Sequence, residues 1–194
     1  MRRAMIVLAV TALTTTGVIA QQRSGAPPPA AKAADPNPLT TSTKFGYETF
    51  KGFLTKAAEQ MKDTDYGFKP AGVAAEVRTF GQIIGHLADS NLGLCSAATS
   101  TAPPGTPKDV EKTVKTKAEL QKALAAGFAQ CDKIWAATTD ANAATAAEMP
   151  FGLGPSTRLA ILAFNSAHNG EHYGNIVTYM RAKGLVPPST AAGR

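Results

Sequence analysis

The sequence predicts an all-α fold, a four-helix bundle, on three observations. Apolar residues recur at helical spacing in four separate stretches of the 194-residue chain. Polar segments bearing Gly or Pro break the chain between those stretches. No stretch shows the alternation of a convincing strand.

Two segments precede the bundle. Residues 1–20 have a basic "MRR" start, an apolar run free of acids, and small residues Val18 and Ala20 before Gln21. This pattern is that of a secretory signal peptide. Thr14, Thr15 and Thr16 interrupt the apolar run and make it too short to span a bilayer well. Residues 21–38 are rich in Pro and Ala and have little to bury, so a disordered tether is expected there. The domain then occupies residues 39–190, a length that can bury one proper core.

The first helix is expected over Ser42–Lys62, with Phe50, Phe53, Leu54, Ala57 and Met61 on one face and Ser42 or Thr43 as its cap. "DTDYGFKPAG" ends it. The second is expected over Ala75–Ala98, with an apolar arc of Phe80, Ile83, Ile84, Leu87 and Leu94. The consecutive prolines of "TSTAPPGTPKD" stop it. The third, Lys115–Ala137, carries Leu120, Leu124, Phe128, Cys131 and Trp135 at intervals of three or four. The segment "TTDANAATAAEMPFGLGP" follows as a long loop of little pattern. The fourth helix is expected over Ser156–Lys183, with Gly184 just past its end and Pro187-Pro188 preventing any resumption.

Charge and cysteines narrow the function classes. Loss of residues 1–20 removes two basic residues, leaving 18 Lys and Arg against 14 Asp and Glu, or +4. No run of Lys or Arg interleaved with aromatics is present, so nucleic-acid binding gains no support. Once the signal is cleaved, nothing in the pattern calls for stable membrane insertion. Cys95 and Cys131 are too few for a disulfide scaffold. In an exported chain they can pair between the second and third helices or stay free.

The protein has three histidines. His168 and His172, four apart on the fourth helix, stand about 40° apart around it. Ile161, Phe164 and Ile176 share that face, which points both rings toward the bundle interior. Burying two imidazoles is costly unless each finds partners. Read alone, the pair fits a packed core and half a metal site equally. His86, in "GQIIGHLADSN", lies at the edge of the second helix's apolar arc and can turn inward. Three neutral imidazoles suit zinc, nickel or another first-row divalent ion, with positions left for water or substrate.

The segments "DYGFKPAGVAAEVRTF", "FGQIIGHLADSN" and "HNGEHYGNIVTYMRAKGLVPPS", in this order and spacing, resemble the DinB-like superfamily. The resemblance runs from about Phe45 to Ser189. It implies a four-helix bundle of up-down-down-up arrangement, often a homodimer, with a metal held by one histidine of the second helix and two of the fourth. Those places fall on His86, His168 and His172. It implies no DNA binding. Its implied activities are thiol-dependent S-transfer or isomerisation, and metal-dependent hydrolysis.

Glu171 and Asp89 are the acids nearest the ligands in sequence. Glu171 lies about 60° from His168 and about 100° from His172 around the helix, and Asp89 about 60° from His86. Either can orient a ligand ring or act as a base; either equally fits a solvated flank. "HNGEH" also matches H-x-x-E-H, the inverted zinc-protease motif. That class needs a further acidic ligand downstream, and no Asp or Glu follows His172. Tyr173 and Tyr179 fit packing positions with a polar tip. The sequence therefore points to an exported metal-dependent hydrolase acting on an unidentified small molecule. Because the family's thiol cofactors are cytosolic, export weakens the thiol-dependent transferase; a non-enzymatic metal-binding or interaction module is the other alternative.

Overall fold

A computed structural model describes residues 33–103 and 109–193. The signal peptide expected over residues 1–20, and the tether as far as residue 32, lie outside the described residues. The described fold is predominantly helical. Four long helices span α1 (Pro38–Gln60), α2 (Phe80–Ala97), α4 (Lys117–Ala136) and α5 (Arg158–Ala182). A short helix α3 (Val110–Thr113) precedes α4, and another, α6 (Pro188–Ala192), follows α5. None of the described helices is long and apolar enough to cross a membrane.

The expected helices are all present, but their ends move for local reasons. The first begins at Pro38 rather than Ser42, with the proline in the first turn, where its missing N–H costs nothing. Its cap is remote: Asp140 accepts the backbone N–H groups of Leu39 and Thr40 at 3.0 and 2.8 Å. The second begins at Phe80 rather than Ala75, because Thr79 and Gln82 form a reciprocal capping box. Thr116 and Thr157 cap α4 and α5 through the backbone N–H groups of Glu119 and Ala160.

Three expectations are corrected. The segment read as a patternless loop contains a hairpin, β1 (Ala146–Met149) with β2 (Gly154–Thr157), antiparallel in the register Ala146↔Thr157 to Met149↔Gly154. Four-residue strands, "AAEM" and "GPST", are too short to show alternation, and Ser156 and Thr157 belong to this hairpin instead of to the helix. The tip uses left-handed backbone at Phe151 (φ 68°) and Gly152 (φ 71°). Pro187-Pro188 does not stop the helical backbone for good, since Pro188 opens α6 from its first turn. The break after α2 contains α3, a single helical turn.

The core gathers the apolar faces anticipated for the second and third helices. Phe80, Ile83, Ile84, Leu87 and Leu94 of α2 are buried, as are Leu120, Leu124, Phe128, Cys131 and Trp135 of α4. Residue pairs ascend together along α2 and α4, from Gly81 against Leu120, through Gly127 against Ala88, to a disulfide between Cys95 and Cys131. They ascend together along α1 and α5 too, from Gly46 against Ser166 to Phe53 stacked on Tyr173 at 5.1 Å. Between α1 and α4 the order reverses. Lys51 meets Asp132 at 2.6 Å, and Gln121 donates to the Ala58 carbonyl at 3.0 Å. Between α2 and α5 it reverses again, and that seam holds all three histidines.

Candidate metal centre

His86 on α2 and His168 and His172 on α5 converge. Nε2 of His168 lies 3.1 Å from Nε2 of His86 and 3.1 Å from Nε2 of His172. Ligand atoms of the three residues all lie within 4.8 Å of one another. The i,i+4 spacing stacks the α5 rings one turn apart, and their centroids are 4.5 Å apart. The face is less interior than the wheel suggests. His172 is buried, but His86 and His168 are half-buried and Phe164 is 38% exposed, so the cluster sits on the α2–α5 seam within reach of solvent.

The residues fit a divalent ion. Nδ1 of His86 lies 3.2 Å from Oε2 of Glu111. A proton there leaves Nε2 as a bare lone pair facing the other rings. His168 can give one proton along a straight line to only one neighbour, so hydrogen bonding does not satisfy both 3.1 Å contacts. A cation among the three nitrogens satisfies them together. Two nitrogens about 2.0–2.1 Å from zinc at a tetrahedral angle stand about 3.3–3.4 Å apart, near the separations seen. Nδ1 of His168 and of His172 are buried without a hydrogen-bond partner among the described residues.

The environment keeps the rings in the neutral, metal-ligating form. Burial, then the neighbouring His172, lowers His168 to about 4; burial, then His86, lowers His172 to about 4. His86 is lowered by burial, then by Arg78 and His168, against the opposing charge of Glu111. Burial opposes the charge of Glu111 itself, but the hydrogen bond and charge of Arg78, and then His86, hold its carboxyl below the usual range.

Glu111 reaches His86 because the chain lets α3 lie against α2. A Cβ on Gly85 would come within 2.7 Å of the Glu111 Cα and 2.8 Å of its nitrogen. Only a glycine gives that approach without a shift. Asp89, one turn beyond Gly85, accepts the Glu111 backbone N–H at 3.2 Å. Arg78 donates from Nε to Oε1 of Glu111 at 2.8 Å. Of the acids singled out in the sequence, Asp89 thus secures α3 rather than touching a ring. Glu171 is exposed, close enough for its charge to act on His168 and His172. Tyr173 exchanges hydrogen bonds with Ser189, and Tyr179 donates to the Arg78 carbonyl.

Sequence reasoning missed Glu111 and Arg78. It also missed the buried amides beneath the cluster: Asn91 donates to Asn169 at 2.8 Å and accepts from Asn165 and Asn169 at 2.9 and 3.0 Å. Asn165, His168, Asn169 and His172 fall at spacings of three and four, a polar stripe on a helix face that should be apolar. That stripe was a legible signal. Glu111 had none, being one of two acids, with Asp109, that follow a proline-rich break without helical pattern.

A family model described as the DinB superfamily matches residues 52–176, which include all three histidines. Among solved structures, a DinB-like protein from Bacillus cereus ATCC 10987 superposes with TM-score 0.63 at 17% identity, covering 76% of this chain and 95% of that one. A conserved protein from Enterococcus faecalis superposes with TM-score 0.58 at 16% identity, covering 74% and 95%. Both show likeness of fold. No curated protein matches the sequence.

Proposed function

The chain belongs to the DinB superfamily, and from that premise we propose that it is an exported metal-dependent hydrolase of a small molecule, with zinc or nickel held by His86, His168 and His172 on an up-down-down-up four-helix bundle. The observation that carries the site is the convergence of three Nε2 atoms at 3.1 Å from two helices. The bundle arrangement is supported by the pairing order: ascending together for α1 with α5 and for α2 with α4, reversed across the other two seams.

A divalent ion on three neutral imidazoles keeps its full charge and makes water a nucleophile near neutral pH. The chain's own residues set up that chemistry. Glu111 holds the His86 proton on Nδ1, which fixes the tautomer and turns Nε2 inward. Asp89 and Gly85 hold α3, and therefore Glu111, in place. Glu111 is engaged by Arg78 and His86, and Asp89 by α3. Glu171 has no hydrogen bond or ion pair among the described residues, which makes it the acid available to take a proton. Export follows from the leader pattern of residues 1–20.

Hydrolysis of a panel of esters and amides by zinc- and nickel-loaded protein tests the reading, with His86→Ala as control. Turnover that needs His86 supports it. Metal-loaded protein without turnover, or turnover retained in His86→Ala, overturns the hydrolase and leaves a metal-binding module.

A further inference from the structure

We propose that Arg78 is a substrate-binding residue that, together with the ion on the three histidines, receives the carboxylate of an anionic substrate. The proposal rests on the metal-site reading above. Arg78 lies in the segment just before α2 and is fastened at both ends. Its carbonyl accepts the Tyr179 hydroxyl at 2.6 Å, and its Nε donates to Glu111 at 2.8 Å. The side chain is nevertheless 39% exposed. The bond to Glu111 uses Nε alone, and neither Nη has a hydrogen-bond partner among the described residues. The end-on fork of the guanidinium is therefore left for a ligand.

The chain Arg78–Glu111–His86, at 2.8 and 3.2 Å per step, ties the guanidinium to the outer, Nδ1 edge of His86. Its positive charge acts on all three imidazoles. Glu111 offsets one positive charge, and the charge of a bound ion remains. A carboxylate suits this pair of partners, since its planar oxygens can be shared between a cation and a guanidinium fork. A neutral ester or amide uses only the ion and leaves the fork unpaired.

The test uses the full chain loaded with cobalt(II), whose visible spectrum reports ligands entering its coordination sphere. Wild type, Arg78→Gln and Arg78→Lys are each titrated with acetate and with imidazole, a neutral ligand. Arg78→Gln weakens acetate binding about tenfold, the loss of one charge-assisted contact, and leaves imidazole binding unchanged. Arg78→Lys, which keeps the charge but not the fork, falls between and remains informative if the glutamine variant does not fold. Unchanged acetate affinity, or equal weakening of both ligands, overturns the role of Arg78. A wild-type protein that takes up no cobalt overturns the metal reading itself, and this proposal with it.

Discussion

The outer nitrogens of the three imidazoles are not equivalent, and this sets what single substitutions do. His86 faces a carboxylate, whereas His168 and His172 have no partner at Nδ1 among the described residues. Glu111→Gln keeps the shape of the side chain and removes the charge that stabilises the His86 tautomer. Metal affinity falls about 10- to 100-fold while the circular-dichroism spectrum is unchanged; competition with a chromogenic chelator reads it, and unchanged affinity means Glu111 does not support the ligand. Acid acts on the other two rings. Their folded values, about 4, lie below the ordinary histidine value. On acidification the unfolded chain takes up protons first, so the stability tied to the neutral rings is fully present above about pH 6.5 and is lost as pH falls toward about 4. The metal-free protein's melting temperature therefore drops across that window, and His168→Asn, His172→Asn protein shows a shallower drop. Equal slopes exclude this origin.

At the scale of elements, what the sequence displayed depended on length and on how local the determinants are. The four long helices were legible because each buries a stripe repeated over several turns, as Phe80, Ile83, Ile84, Leu87 and Leu94 do on α2. α3, α6 and the strands β1 and β2 are four or five residues each, too short for any period to emerge. The start of α1 depends on Asp140, a hundred residues away in sequence, so no local motif marks it. The capping box of Thr79 and Gln82 was local and readable. For the site, the ligands were legible because i,i+4 histidines on a helix carry their own geometry. Glu111 was not, because its placement comes from α3 packing on Gly85. Gly85→Ala puts a methyl where the α3 backbone lies, and α3 must move. Metal affinity falls at least as far as in Glu111→Gln, and amide exchange of residues 110–113 quickens; unaltered exchange and affinity would show that α3 tolerates the methyl.

For the whole molecule, two devices tie the seams together around the histidines. The buried Cys95–Cys131 disulfide joins α2 to α4 and closes a loop with a sequence separation of 36, which in the chain-entropy account stabilises by about 4 kcal/mol. The Asn91, Asn165 and Asn169 amides join α2 to α5 between that disulfide and the ligands, with Asn165 Nδ2 3.5 Å from the Cys95 sulfur. A scaffold fixed on both sides holds one buried and two half-buried imidazoles in a convergent set, and we propose that this set holds an ion. Elemental analysis of untagged protein, purified without added metal or chelator, alongside a His168→Ala, His172→Ala double variant, tests that claim most directly. The expected result is about one divalent first-row ion per chain in the wild type and none in the variant. Wild-type protein without metal, whose melting temperature is unmoved by chelator or by added zinc and nickel, would contradict it.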